Sequence, residues 1–164
     1  MKFLSPAKLN LNLRVISKRF DGYHNLETTF QLIDLFDEIT FKKSNESFSI
    51  SCDGLEIEPE NNLIFKSFNA IKKYCEIDEG IRIHLKKNIP VGAGLGGGSS
   101  NAATTLIALN KIWGLDLSRE DLAKIGKPIG ADIPIFIYGK NAIAKGIGDV
   151  FLDVELKKNK FLLI

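Results

Sequence analysis

Residues 8 to 15 alternate without a break: Leu9, Leu11, Leu13 and Val15 fall on one side, and Lys8, Asn10, Asn12 and Arg14 on the other. A period of two marks a half-buried strand, so the leucine face is predicted to pack inward while Lys8 and Asn10 share the polar face. Asp21 to His24, DGYH, predicts a tight reversal, because Asp-Gly tolerates the positive φ such a turn requires. Strand-like runs follow at 26–33, 38–42 and 48–52, separated by polar or glycine-bearing breaks, which predicts a β-meander over the first third of the chain.

From Asn62 the period changes. Ile64, Phe68, Ile71 and Cys75 fall at i, i+4, i+7 and i+11, one stripe of an amphipathic helix. A short strand at 81–85 runs through Lys86, Lys87 and Asn88 into a glycine-rich segment, after which Ala102, Leu106, Leu109 and Trp113 form a second helical stripe. Ser118 and Asp121 have the spacing of a capping box and predict a further short helix. GADIPIF at 130–136 and GIGD at 146–149 lie in a turn-rich stretch, and KFLLI at 160–164 predicts the first residues of a buried strand. Together these elements predict an α+β protein: a mostly antiparallel sheet packed with helices, its glycine-rich loop leading into a long helix that begins near Ser99.

Composition narrows the classes. The chain has 164 residues, the size of one domain with a proper core, and is 45% hydrophobic and 26% charged, as soluble globular proteins are. With 22 basic and 20 acidic residues it has no field for gripping a polyanion, so no nucleic-acid partner is expected and any anion must be held locally. Cys52 and Cys75 lack a C-x-x-C partner and read as reduced, packed thiols. Pro6 and Lys8 interrupt the start where a secretory signal needs an apolar run, and no stretch of about 18 apolar residues occurs; no membrane partner is expected, and the cytoplasm is the expected location.

The segment richest in chemistry is PVGAGLGGGSS, residues 90–100, with glycine at 92, 94, 96, 97 and 98 directly before a helix. Glycine lets main chain approach a phosphate closely, and the amides at a helix start favour negative charge. A flexible linker is the plain alternative, but linkers rarely open an amphipathic helix. The Walker pattern is missing, because no Gly-Lys-Ser or Gly-Lys-Thr occurs. Gly92-x-Gly94-x-x-Gly97 matches the dinucleotide fingerprint formally, with Asp116 near the spacing of a ribose-binding acid. Lys86 to Pro90 nevertheless separate it from the strand it should follow. Other readings of single residues are plain ones: Asp132 as a helix N-cap, Lys8 as a solvated strand lysine, His84 as structural.

The ordered set SPAKLNLNL, RFDGYHNLET, NLI, IPVGAGLGGGSSNAA, GADIPIF and AKGIGD resembles the GHMP kinases, small-molecule ATP-dependent phosphotransferases. DGYH combined with LGGGSS is most similar to the branch whose acceptor is the 2-hydroxyl of 4-diphosphocytidyl-2-C-methyl-D-erythritol, an isoprenoid precursor; mevalonate and homoserine acceptors are less compatible with DGYH. The resemblance implies that Lys8 and Asp132 are the catalytic pair. It implies that Pro90, Val91, Gly92, Ala93, Gly94, Leu95, Gly96, Gly97, Gly98, Ser99 and Ser100 wrap the ATP phosphates, with Asn62, Leu63 and Lys87 near the adenine. Asn10, Tyr23 and His24 would contact the acceptor, the latter two at its cytosine. Mg2+ is expected with ATP, Ser100 being the one ligand suspected. Residues 1–164 are thus expected to form the ATP-binding N-terminal domain of such a kinase, without the second domain the family carries. A non-catalytic nucleotide-binding remnant is the alternative.

Overall fold

The computed structural model describes residues 1–22, 24–53, 58, 62–157 and 159–162. Its spine is β2, His24–Ser44, a strand of 21 residues. Antiparallel β1 (Lys2–Lys18) runs along one of its edges, Lys8 opposite Leu32 and Lys18 opposite His24. The other edge is shared by β4 (Gly80–Lys86), which pairs with 38–44, and β5 (Ala142–Lys145), which pairs with 28–30. β3 (Phe48–Cys52) lies parallel to β4, and β6 (Val150–Asp153) antiparallel to β5, so the six-stranded sheet reads β3-β4-β2-β5-β6 with β1 beside β2.

Two expectations are corrected. The first third is not a meander: β3 crosses over β4 instead of pairing with β2. The expected break at 34–37 is no loop either, because Asp37 is fully buried and bonded within a single continuous strand. A polar residue breaks a strand only when it has to reach water, and this one does not. Lys160 to Leu162 also form no strand, and Phe161 and Leu162 are exposed. A strand needs a ladder partner, and none is recorded for them; Leu163 and Ile164 lie outside the described residues.

The helices follow their stripes. α1, Leu63–Cys75, is capped by Asn62, whose side chain accepts from the Ile64 amide at 2.8 Å, and it buries Ile64, Phe68 and Ile71. α2, Gly97–Trp113, starts two residues earlier than its stripe suggests and buries Ala102, Leu106 and Leu109. It is enclosed almost all round, packing on α1, β1 and α4. α3, Arg119–Gly126, opens with the predicted capping box, the Asp121 amide donating to Ser118 Oγ at 3.1 Å. α4, Ile133–Tyr138, follows the GAD turn. The core between sheet and helices holds Phe30, Ile39, Phe41, Ile81 and Ile83 against these faces, each fully buried side chain contributing about 1.5–3 kcal/mol. His84 bridges strands, meeting Ser51 Oγ at 3.0 Å.

β1 departs most from its pattern. Ala7 is buried and Leu9 half-buried, but every residue from Asn10 to Lys18 is exposed, including Leu11, Leu13 and Val15. The leucine face is uncovered there because, among the described residues, no layer lies over this part of the β1–β2 ribbon, while Lys8, on the supposedly polar face, is buried.

Candidate functional site

β4 ends at Lys86, and the chain passes Lys87 to Ile89 before entering the loop that starts α2. Gly92, Gly94 and Gly96 have φ of 77°, 74° and 72°. At Gly96 both backbone and space demand glycine: a Cβ there would stand 2.8 Å from the Phe136 ring and 3.1 Å from Lys8 Cε. At Gly92 and Gly94 a Cβ would meet nothing within 4 Å beyond its chain neighbours, so this side of the backbone is open. The loop borders a cavity of 380 Å³ whose lining includes Asn62, Leu63, Lys87 and Pro90 through Gly98. Segments 62–63, 87 and 90–98, read separately in the sequence, thus converge on one space. Glycine amides at a helix start, an ammonium and an apolar wall of Leu63 and Leu85 suit a phosphorylated nucleoside.

Ser99 and Ser100 are not part of its wall, and Leu95, which is, also ties the loop to the rest of the fold. Leu95 is buried with Ala7 and Ile89, and its carbonyl accepts from the Lys8 amide at 2.9 Å, stitching the loop to the edge of β1. Ser100 is fully buried and accepts from Ser5 Oγ at 2.8 Å; Ser99 is half-buried near Gly130.

Beyond Gly96 lies the second cluster. Lys8 Nζ is 3.2 Å from Asp132 Oδ2, joining residues 124 positions apart, with the lysine side chain 6% and the aspartate 36% exposed. Asp132 occupies the N-cap position of α4, yet its side chain makes no capping bond and meets the ammonium instead. Lys8 Nζ also donates to Asn10 Oδ1 and sits 5.3 Å from the centre of the Phe30 ring. Asn10 Nδ2 in turn donates to Thr28 Oγ1 at 2.9 Å. The ammonium is therefore fixed, while the carboxylate has one side open to solvent.

His24 is not brought to this cluster. It opens β2 eight residues from Leu32, the register partner of Lys8, about 26 Å away along a straight strand. Tyr23 lies outside the described residues. Register shifts at Asn10/Asn12 and Val15/Ser17 bend the ribbon between.

Sequence reading missed Cys52, Leu85 and Asn101 in the cavity wall and Asp37 behind it. Cys52 and Leu85 are register partners across the parallel β3–β4 pair, a crossover that periodicity does not reveal. Both cysteines are free and half-buried, and burial raises each thiol above its ordinary value, so they stay protonated. Among the described residues, no three or more His, Cys, Asp or Glu side chains gather to hold a metal, and no helix is long and apolar enough to cross a membrane.

A mixed sheet, a glycine loop set off from its strand and Asp116 in a helix-to-helix turn do not make the parallel βαβ unit a dinucleotide fold needs. Residues 62–140 match the pattern described as GHMP kinases N terminal domain. The match assigns residues 62–140 to the GHMP kinase family. It is 49% identical over 161 residues to a 4-diphosphocytidyl-2-C-methyl-D-erythritol kinase of Acinetobacter baumannii, covering 98% of this chain and 58% of that protein. The protein of the same name from Polynucleobacter necessarius is 45% identical, with 98% and 54% covered. A crystal structure of 4-(cytidine 5'-diphospho)-2C-methyl-D-erythritol kinase superposes with a TM-score of 0.80 at 36% identity, over 96% of this chain and 56% of that one. Homoserine kinase from Cytophaga hutchinsonii, at 20% identity and a TM-score of 0.69, over 95% and 52% of the two chains, shares the fold. The chain thus spans little more than half the length of these relatives.

Proposed function

We propose that this chain is the ATP-binding domain, residues 1–164, of a kinase that phosphorylates the 2-hydroxyl of 4-diphosphocytidyl-2-C-methyl-D-erythritol. The observation that carries the reading is the Lys8–Asp132 pair, 3.2 Å apart, beside the glycine loop at Gly96. ATP fits the cavity with its base between Asn62, Leu63 and Lys87 and its phosphates along the open backbone of Gly92 and Gly94. The γ-phosphoryl then points past Gly96 towards Lys8.

Asp132 takes the proton of the acceptor hydroxyl while that oxygen bonds to the γ-phosphorus, and the bond from this phosphorus to the β,γ-bridging oxygen breaks to release ADP. Lys8 pairs with the Asp132 carboxylate and offsets charge on the moving phosphoryl. Asn10 orients the ammonium and contacts the acceptor; Tyr23 and His24 take its cytosine, which requires the ribbon to curl back over the site.

Mg2+ would shield phosphate charge and enter chiefly on the nucleotide, as this ion keeps most of its ligands outside the protein. Ser100 fits poorly as its ligand, since the hydroxyl is buried and bonded to Ser5. No step above depends on it.

Phosphoryl transfer from ATP to the diphosphocytidyl acceptor by the purified chain is the test, with Asp132→Asn and Lys8→Met as controls. Each substitution is expected to lower turnover by about 10²–10⁴-fold. Turnover untouched by both removes the mechanism. The open acceptor end, with residues 10–18 all exposed, favours a second reading in which the chain binds ATP without transferring it. Calorimetric ATP binding with no product identifies that case.

A further inference from the structure

Asp37 takes no part in the chemistry above, yet it is fully buried in the middle of β2. Its Oδ1 accepts from the backbone amides of Asn88 at 2.7 Å and Ile89 at 2.9 Å. Its Oδ2 accepts from Lys87 Nζ at 2.5 Å and from Asn101 Nδ2 at 2.9 Å. Asn101 Nδ2 also donates to Ser5 Oγ at 3.0 Å, and Ser5 Oγ donates to Ser100 Oγ. A buried carboxylate is costly unless donors saturate it, and here four converge on it. All four come from the residues that lead into the glycine loop or from the second turn of the helix that leaves it.

The network reaches the cavity wall. Lys87 Nζ lies 3.1 Å from the place a Cβ on Gly97 would occupy, so the ammonium is held against the start of α2. Lys87 and Asn101 both line the cavity. Lys87 has three N–H donors; Asp37 takes one, and Asn101 Oδ1 lies at 3.4 Å from the nitrogen. A long flexible side chain is thereby fixed at the base end of the site before any ligand arrives.

We propose that Asp37 is a positioning residue of the ATP site. By fixing Lys87 Nζ and the Asn88 and Ile89 amides, it holds the glycine loop in its binding shape in the free protein. The proposal rests on the ATP reading above. Without this carboxylate, ATP binding has to order the ammonium and the start of the loop itself, and affinity falls by that cost.

A double-mutant cycle on ATP affinity tests it. The whole chain is titrated with ATP as wild type, Asp37→Asn, Lys87→Met and the double variant. Each single substitution is expected to weaken binding about tenfold, and the double variant to lose clearly less than the product of the two single losses, because part of what Asp37 does runs through Lys87. Losses that multiply, or an Asp37→Asn chain that binds like wild type, overturn the proposal; a general loss of stability would not produce the coupling. If Asp37→Asn does not fold, amide hydrogen exchange on the wild type decides. Strong protection of Asn88 and Ile89 before ATP is added supports the proposal, and free exchange there overturns it. A wild type that binds no ATP sinks the ATP reading, while the exchange measurement still reports whether the segment is held.

Discussion

The two halves of β1 belong to one continuous strand and meet opposite surroundings. In the first half, Ser5, Ala7 and Lys8 are buried beneath the glycine loop and α2, and each polar group there has a partner. In the second half, Leu11, Leu13, Val15 and Ile16 are 43–65% exposed on a ribbon that, among the described residues, only β2 accompanies. The alternation is thus not what decides burial. What decides it is whether a second layer lies above the strand, and here the layer ends near Lys8. Lys8 sits where the strand is covered, which suits chemistry that needs a fixed charge out of water. The ribbon, with its apolar face bare, lies where the acceptor is proposed to bind.

The largest expected effect is at the covered end. Phe41 is 1% exposed and packs edge-on against Phe3 with ring centres 5.6 Å apart, so Phe41→Ala should cost about 3–5 kcal/mol in urea unfolding. A loss below about 1 kcal/mol would mean the sheet is not sealed there.

Gly96→Ala comes next. A positive φ and the clash with Phe136 should together cost about 1–3 kcal/mol and weaken ATP binding, both measurable on one preparation. Unchanged binding would detach the loop from the nucleotide.

On the ribbon, Leu13→Ser should move stability by no more than about 0.5 kcal/mol, because an exposed side chain loses little burial. A cost comparable to Gly96→Ala would show that the apolar face is covered in solution, and the contrast between the halves would fail.

The smallest effect concerns a half-buried carboxylate outside both regions. The Ser118 hydroxyl, then its amide, hold the Asp121 carboxyl below its ordinary value. A folded pKa lower than the unfolded one gives stability that is present above about pH 4 and lost as pH falls through the lowered value. Acid melting curves of Ser118→Ala should therefore fall less steeply below pH 4 than those of wild type. Identical slopes would dismiss the cap as a contributor.

The sequence by itself determined α1, α2 and α3, where a buried face or a cap leaves its mark, Ile64, Phe68 and Ile71, or Ala102, Leu106 and Leu109, with Asn62 and Ser118 at two of the starts, whereas α4 lies in a stretch that reads as turns. It also exposed the glycine loop, whose composition has no cheaper explanation, and by resemblance the residues proposed for catalysis. Only the tertiary structure decided what lay across crossovers. The β3–β4 pairing, the cavity it closes with Cys52 and Leu85, the 3.2 Å approach of Lys8 to Asp132 and the burial of Asp37 depend on partners distant in the chain. Local periodicity records the face a residue turns to its neighbours, but the layer that covers that face, or leaves it bare as at Leu11 to Ile16, is set by chain folded from elsewhere.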